Sequence, residues 1–600
     1  MTTLKSDSRH SAADAQQKPI DMLLTGGTVL NVYSGELLKA DVTVHNGKIW
    51  SVGHFNPVQP HAARIIDVTD KVLVPGYIEP HAHADNIYNP ISFGEEACKK
   101  GVTTIFCDNL VYFPPIGVTL FEELMNTLSK GPVKFFWFCR TNPQTAVANE
   151  DEIFSLDSIE TLIKNPFVRS IGEITRWPDM IKGNSKILNM IDAARKANKR
   201  VDGHLAGAKF EKLNVLARVG VESCHESITG EDVLNRLRLG LYVILRESSL
   251  RRDLADIIRP IVEKNILTER LMLTTDSSTA VYYDTFGMTD HLIDIAIKEG
   301  IPPVLAYRMV TLNPAVYYGL DRQIGGIAPG RDADILILKD LYHPVPETTI
   351  SKGRVIAKNG NLAAPFPQIA WEKFFPKTLF VNHEWRATAD FFKIFTPEKS
   401  MDFPVVEMIS AVITRVKWTC FDSENGHLTL QDKEGVCHAA LLDRNGRWIT
   451  NGMVGGFGDG IEGLASSYNT AREILVLGRS HEAMKTAVNR VLEMKGGIVL
   501  IEKGEIIYEF PLPLLGYGSY EPLQLVARKE KELIDILLTR GYRFHDPFYT
   551  LAFLPNDFLP DARINYNGVV DIKTGEVLWP RKDLKAQQTL SKISSNSIAP

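Results

Sequence analysis

The sequence lacks the features that mark several classes of protein. It has 6 cysteines among 600 residues and no C-x-x-C pair, which argues against a disulfide framework and against a thiolate zinc site. The formal net charge is -5, so no overall basic field attracts nucleic acid or anionic lipid. No apolar run approaches the roughly 18 residues that a membrane-spanning helix needs. We therefore expect no nucleic-acid partner, no membrane partner and a reducing cytoplasm as the compartment.

The composition is that of an ordinary globular protein, with 44% hydrophobic and 23% charged residues. The first residues, MTTLKSDSRHSAADAQQKP, are polar and contain no apolar segment of the secretory kind. We predict flexible tails over 1–20 and 581–600. Hairpin-like alternation follows from residue 22 and returns near 325. We expect 21–75 and 325–380 to complete one small β-sandwich domain.

Between these β-rich pieces, eight short apolar runs alternate with stretches of helical period. The runs are VLVPGYIEP, VTTIFCD, VKFFWFC, VRSIGEI, RVDGHL, VESCHES, LYVILRESS and RLMLTTDSS. Apolar strands that alternate with helices indicate a parallel sheet, and eight such units indicate a (β/α)₈ barrel over 76–324. Alternating strands and helical stretches return after the second β-rich piece, which predicts a separate α+β domain over 385–580. The fold class is thus α/β.

Histidines and carboxylates occur where the apolar runs end, and in such a barrel function gathers at the carboxyl ends of the strands. Run three ends in Cys139-Arg140. The residues at the other seven ends are His81 and His83, Asp108, Glu173, His204, His225 and Glu226, Arg246 and Glu247, and Asp276.

This set predicts a metal site. The two histidines of H-x-H point to the same side of a strand, and imidazole with carboxylate suits Zn²⁺, Mn²⁺ or Fe²⁺. A lone histidine at a strand end is usually only a satisfied polar residue, but this combination at five strand ends is hard to obtain by accident. Six ligands exceed the need of one tetrahedral ion, so we predict two divalent ions. We assign His81 and His83 to one ion, His204 and His225 to the other, Glu173 as the bridge and Asp276 as a further ligand.

Two motifs resemble those of the amidohydrolase superfamily, namely PGYIEPHAHAD and GGIAPGRDADILIL. Within it, the chain resembles bacterial adenine deaminases over about residues 20–580, through stretches such as RLGLYVILRESS, DHLIDIAIKEGIPPVLAYRMVTLNPAVYYGL and AVNRVLEMKGGIVLIEKGEIIYEFPLPLLG. The resemblance implies a metal-bearing barrel, hydrolysis of the C6 amino group of a purine base to give hypoxanthine, and a homo-oligomer. The family also carries a glutamate at the fourth strand, in agreement with Glu173.

The chain departs from the family pattern at three places. A P-H-E-like sequence is usual after the second-strand aspartate, where this chain has Asn109-Leu110-Val111. A T-D-D is usual at the eighth strand, where this chain has Thr275-Asp276-Ser277, and an H-D-S-H-N-like segment in the C-terminal domain is replaced by ASSYNT at 465–470. The predicted metal ligands are present, whereas polar residues around them are replaced. This pattern favours an N6-alkylated adenine, such as N6-methyladenine, as the substrate.

We therefore predict a deaminase in which Asp276 is the general base. Glu173, Asp108 and Glu226 are further catalytic candidates, the last two through contacts with the ligands or the purine ring, and Arg246 and Glu247 are candidate substrate contacts. Two alternatives remain open. The same ligands would serve another amidohydrolase reaction, such as opening a cyclic amide, and a metal-binding homologue without activity would retain the barrel.

Overall fold

The computed structural model describes residues 20–54, 62–147 and 149–584. Within residues 20–54 and 62–75 the chain forms short, mostly antiparallel strands. They are β1 (Met22–Thr25), β2 (Thr28–Asn31), β3 (Glu36–Lys39), β4 (Asp41–His45), β5 (Lys48–Gly53), β6 (Ile65–Asp67) and β7 (Val72–Pro75). The predicted tail over 1–20 lies almost entirely outside the described residues, and Ile20 is buried.

Eight parallel strands then form one sheet in which each strand pairs with the next in chain order. They are β8 (Tyr77–Ala82), β9 (Val102–Cys107), β10 (Lys134–Cys139), β11 (Val168–Ile174), β12 (Arg200–Gly203), β13 (Ser223–Cys224), β14 (Tyr242–Arg246) and β15 (Leu271–Thr274). A parallel bridge between Ala82 and Asp276 joins the first strand to the end of the last. The predicted (β/α)₈ barrel is thus confirmed.

Helices surround this barrel because each connection carries an apolar face toward the strands. They are α1 (Pro90–Lys99), α2 (Phe113–Leu128), α3 (Glu150–Ile153), α4 (Leu156–Lys164), α5 (Trp177–Ile181), α6 (Ser185–Lys196), α7 (Phe210–Val219), α8 (Gly230–Arg238), α9 (Leu254–Glu263), α10 (Ala280–Phe286), α11 (Thr289–Lys298), α12 (Pro303–Met309) and α13 (Leu312–Tyr317). In α4, Ile159, Leu162 and Ile163 are buried and the Ser155 hydroxyl caps the first turn.

The chain then returns to the first β-rich segment. Strands β16 (Ile335–Leu338), β17 (Thr348–Ser351), β18 (Arg354–Lys358) and β19 (Asn361–Leu362) join β7, β2 and β3 in a seven-stranded sheet, beside a four-stranded sheet of β5, β4, β1 and β6. Lys134 of β10 donates to both carboxylate oxygens of Asp334, at 2.8 and 2.6 Å, and both side chains are buried. This ion pair ties the barrel to the small sheets.

The remaining chain forms a ten-stranded and a three-stranded sheet. Its elements are α14 (Trp371–Phe374), two 3₁₀ turns (Lys377–Leu379 and Ala389–Phe392), β20 (Ser400–Met408), β21 (Thr414–Glu424), β22 (His427–Leu428), β23 (Val436–Leu442), β24 (Trp448–Gly455), β25 (Gly463–Ser466), β26 (Ile474–Gly478), α15 (His481–Met494), β27 (Gly497–Glu502), β28 (Glu505–Pro511), α16 (Leu523–Leu538), α17 (Pro547–Phe553), β29 (Ala562–Asn565), β30 (Gly568–Asp571), β31 (Glu576–Pro580) and β32 (Lys582–Asp583). Strand β32 pairs with β24, although we predicted a tail from 581, and 585–600 lie outside the described residues.

The C-terminal sheets and helices lie against the carboxyl ends of the barrel strands. Glu530 of α16 accepts the backbone N–H of Val281 in α10 at 2.7 Å, and Tyr549 of α17 donates to the carbonyl of Ser277. These contacts place C-terminal side chains directly over the strand ends. Within the described residues, no helix is both long and apolar enough to cross a bilayer.

Removal of the Lys134 ammonium should destabilise the barrel. In Lys134→Ala the Asp334 carboxylate stays buried without its partner, which costs about 3–5 kcal/mol. We expect a clear fall in the urea midpoint measured by circular dichroism. Lys298→Ala, which removes a lysine from an exposed pair with Asp294, is the matched control and should cost less than about 1 kcal/mol. Equal midpoints for the two variants would contradict the role of the buried pair.

Candidate active site

A cavity of about 440 Å³ opens at the carboxyl ends of the barrel strands. From the barrel it is lined by six of the residues that the sequence singled out, namely His83, Glu173, His204, Glu226, Arg246 and Asp276. From the C-terminal domain it is lined by aromatic side chains, which include Tyr468, Tyr517, Tyr549, Phe553 and Phe558. The cavity therefore has a polar floor and a largely aromatic roof.

The histidines lie together around one oxygen of Glu173. Its Oε2 is 2.9 Å from His225 Nε2, 3.2 Å from His204 Nδ1 and 3.6 Å from His81 Nε2. Asp276 Oδ1 lies on the other side of His81, 3.5 Å from its Nε2 and 3.3 Å from His83 Nε2. The structure thus brings together all six predicted ligands from β8, β11, β12, β13 and β15.

The second oxygen of Glu173 is held away from the histidines. Its Oε1 accepts hydrogen bonds from Arg140 at 2.6 Å and from Gln144 at 3.1 Å. Burial alone would raise the pKa of Glu173, but the charge of Arg140 and the neighbouring His204 hold that pKa well below its usual value. The carboxylate is therefore anionic, and only Oε2 faces the histidines.

The donor set fits divalent cations. His81 is fully buried, and neither of its ring nitrogens has a hydrogen-bond partner among the described residues. Burial lowers the pKa of His81 well below the usual histidine value, so the ring is a neutral imidazole, the form that binds metals. Candidate ligand atoms form two neighbouring groups, His81 with His83 and Asp276, and His81 with Glu173 and His225. A third group joins His204 and His225 to Glu226, and a fourth joins His83 to Asp108 and Glu173.

Asp276 is held in one position by its neighbours. Arg246 donates to its Oδ2 at 2.5 Å, while its backbone N–H donates to Thr274 Oγ1 at 2.8 Å. Burial opposes ionisation, but Arg246 and the hydrogen bond from His83 hold the pKa of Asp276 well below its usual value. Thr274 in turn donates to the buried Glu79 at 2.6 Å. The carboxylate thus presents Oδ1 to the histidines of β8.

Glu226 and Arg246 line the cavity beside this cluster. Glu226 Oε1 lies 2.6 Å from Arg246, and its Oε2 accepts a hydrogen bond from Arg251 at 3.1 Å. Burial raises the pKa of Glu226, yet the charge of Arg246 outweighs it and lowers that pKa to about 2. Both groups are therefore charged, and they face the space that a ligand would fill.

Four predicted residues do not line the cavity, namely His81, His225, Asp108 and Glu247. His81 and His225 belong to the histidine cluster described above. Asp108 is fully buried beneath His83 and accepts a hydrogen bond from Arg140 Nε at 2.5 Å. It also forms a candidate ligand group with His83 and Glu173. Glu247 accepts the backbone N–H of Leu254 at the start of α9, at 3.1 Å. The structure does not bring Glu247 to the cavity, because Arg246 and Glu247 are neighbours on an extended segment and point to opposite sides.

Sequence reasoning missed several residues of the site. Arg140 ends the third apolar run but carries no predicted role, although it bridges Asp108 and Glu173. Tyr468 donates to the amide oxygen of Asn86, which lies in the loop after β8. The contact between Tyr468 and Asn86 joins residues about 380 positions apart in the sequence, and no local sequence pattern indicates it.

Comparisons with known proteins agree with this architecture. Residues 72–366 match the model named Amidohydrolase family, and residues 411–576 match the Adenine deaminase C-terminal domain. "Putative adenine deaminase YerA" of Bacillus subtilis is 37% identical over 560 residues, covering 93% of this chain and 95% of that protein. The chain belongs to the adenine deaminase family.

Two further members of this family show the same full-length likeness. "Putative adenine deaminase BH0637" of Halalkalibacterium halodurans is 36% identical, over 93% of this chain and 95% of its own length. The adenine deaminase of Moorella thermoacetica is 30% identical, over 92% and 94%. The resemblance found in the sequence is confirmed, and the divalent metal use implied by the amidohydrolase family agrees with the donor set.

Glu173→Gln should remove most of the bound metal. The amide keeps the shape of the side chain but removes the charge at the oxygen nearest to three histidines. We expect the metal content of purified protein, measured by inductively coupled plasma mass spectrometry, to fall at least about tenfold. Glu247→Gln is the matched control and should bind as much metal as the wild type. Full metal content in Glu173→Gln would contradict the assignment.

Proposed function

We propose that the protein hydrolyses the exocyclic C–N bond of a 6-aminopurine free base, which yields hypoxanthine and ammonia or an amine. The observation that carries this proposal is the histidine–carboxylate cluster around Glu173, set in the floor of an aromatic-roofed cavity. Membership of the adenine deaminase family supports a hydrolase and adenine deamination in general.

Two divalent ions, of Mn, Fe or Zn, are proposed for the cluster. His81, His83 and Asp276 would hold one, His204 and His225 would hold the other, and Glu173 would contribute its carboxylate between the two sets. When bound, such ions lower the pKa of water so that hydroxide is available near neutral pH. Arg140 would assist by fixing the position of Glu173 and by neutralising the negative charges of Glu173 and Asp108.

Asp276 is the proposed general base. Its carboxylate is ionised and lies at the cavity wall, where Arg246 fixes Oδ2. It would accept a proton from the attacking water and return it to the exocyclic nitrogen after C6 becomes tetrahedral. Glu226 and Arg246, charged and facing the cavity, would contact the polar edge of the purine ring. The aromatic roof, in particular Tyr549 and Phe558, would cover the faces of the ring and exclude water.

An N6-alkylated adenine is the proposed preferred substrate. Leu110 and Val111 line the cavity where the family usually has polar residues after the second-strand aspartate. Ser277, also in the lining, replaces a carboxylate. An apolar patch favours a methyl group, whereas an unsubstituted amine would lose hydrogen-bond acceptors there. N6-methyladenine is the simplest such base.

Turnover of the two bases tests this proposal. Protein loaded with Mn²⁺ or Fe²⁺ should form hypoxanthine from N6-methyladenine with a higher kcat/KM than from adenine, measured by chromatography of the product. Much faster turnover of adenine would refute the substrate preference and retain the deaminase. If the metal-loaded protein forms hypoxanthine from neither base, the proposal of deaminase activity is wrong. Opening of a cyclic amide without release of an amine would then identify the alternative reaction.

Leu110→His should shift the preference toward adenine. It restores the residue type that the family has at this position and removes an apolar contact for the methyl group. We expect the ratio of kcat/KM for N6-methyladenine to that for adenine to fall about tenfold, which corresponds to about 1.4 kcal/mol. Ile228→His, at an exposed position of the cavity rim, is the control and should leave the ratio within about twofold of the wild type. An unchanged ratio in Leu110→His would show that Leu110 does not determine the preference between the two bases.

A homo-oligomer and a cytoplasmic location stay predictions. A single chain is described, and its six cysteines form no disulfide.

A further inference from the structure

A second cavity, of about 150 Å³, lies between the barrel and the C-terminal sheet. The loop after β10 contributes Ala146 and Val147, and the C-terminal domain contributes Arg444, Arg447 and Arg472. Trp448 and Tyr566 form an aromatic side of the cavity, with their ring centroids 5.3 Å apart. Three guanidinium groups thus share one small space outside the cavity of the proposed active site.

Two of these arginines form no ion pair among the described residues. Arg447 forms an ion pair with Asp443 at 2.6 Å. Within the described parts of the chain, neither Arg444 nor Arg472 has a side-chain ion pair or hydrogen bond. Burial and the nearby charge of Arg444 lower the pKa of Arg472 to about 10. Two like charges are therefore held near each other in a partly buried place.

The one carboxylate that lines this cavity, Glu473, acts electrostatically on both arginines but forms an ion pair with neither of them. Glu473 accepts the backbone N–H of Arg444 at 2.7 Å, and burial raises the pKa of Glu473 to about 7. Its Oε2 is thus engaged by the backbone, and its charge reaches Arg444 and Arg472 from beyond ion-pair distance. An arrangement of this kind is costly unless an anion lies between the arginines.

We propose that this cavity binds a compact phosphate-class anion between Arg444 and Arg472. Guanidinium groups present planar arrays of donors that match phosphate oxygens. The small volume admits a phosphate group, while a larger ester would have to leave its remaining part near Trp448 and Tyr566. The site also adjoins the loop that carries Gln144 to Glu173.

Titration with inorganic phosphate tests this site in the full-length, metal-loaded protein. Isothermal titration at constant ionic strength should show saturable binding by the wild type. Arg472→Gln and Arg444→Gln should each weaken it at least about tenfold, since each removes a charge-assisted contact. Arg472→Lys, which keeps the charge but loses the planar donors, should bind with intermediate affinity. Arg528→Gln removes an exposed arginine of α16 and should bind like the wild type.

The outcomes separate this site from the histidine cluster. Saturable binding that survives both Arg472→Gln and Arg444→Gln would place the anion elsewhere and overturn the proposal, as would a wild type without saturable binding. Arg444 lies in a turn and is partly exposed, so its variant stays informative if Arg472→Gln fails to fold. AMP that binds more tightly than phosphate, with the same loss in both variants, would support the site and identify an ester as its ligand.

Discussion

The buried contact between Arg140 and Glu173 sets the geometry of the whole site. Arg140 has no exposed surface, and it neutralises Glu173 from one side and Asp108 from another. Because Oε1 accepts hydrogen bonds from Arg140 and Gln144, only Oε2 of Glu173 faces the histidines at the ends of β8, β12 and β13. The barrel brings the strand ends together, but this arginine decides which oxygen faces the proposed ions. A neutral or absent side chain at position 140 would leave two buried carboxylates uncompensated.

The C-terminal domain completes the cavity rather than standing apart from it. Tyr468 contacts Asn86 after the first barrel strand, and Tyr549 contacts Ser277 after the last. These two loops flank the proposed ligands His83 and Asp276. The aromatic roof and the polar floor therefore come from different parts of the sequence, and the cavity forms where the two meet. Each of the two parts accordingly matches a family model of its own.

Much of the barrel and most of the site follow from the sequence by one rule. Parallel strands end on the same side of a barrel, so polar residues after apolar runs must meet there. The rule succeeds for Glu173, His204 and Asp276 without any knowledge of the helices between them. It fails for Glu247, because side-chain alternation turns that residue away when Arg246 faces the cavity.

Residues that act over long sequence distances could not be found in this way. Nothing local indicates that Tyr468 reaches Asn86, since that contact depends on how two domains pack. Arg140 was visible at a strand end, but its function depends on two carboxylates from neighbouring strands. The arginine cavity likewise combines a barrel loop with segments near residues 444 and 472. Taken alone, the sequence of each segment is that of an ordinary surface loop and indicates no binding site.

Anomalous diffraction from crystals of the Mn²⁺- or Fe²⁺-loaded protein tests the central claim most directly. Data collected on both sides of the metal absorption edge would count and place the ions without reference to activity. We expect two peaks in the anomalous difference map near Glu173, one beside His81 and His83 and one beside His204 and His225. A single peak, or peaks away from Glu173, would contradict this expectation.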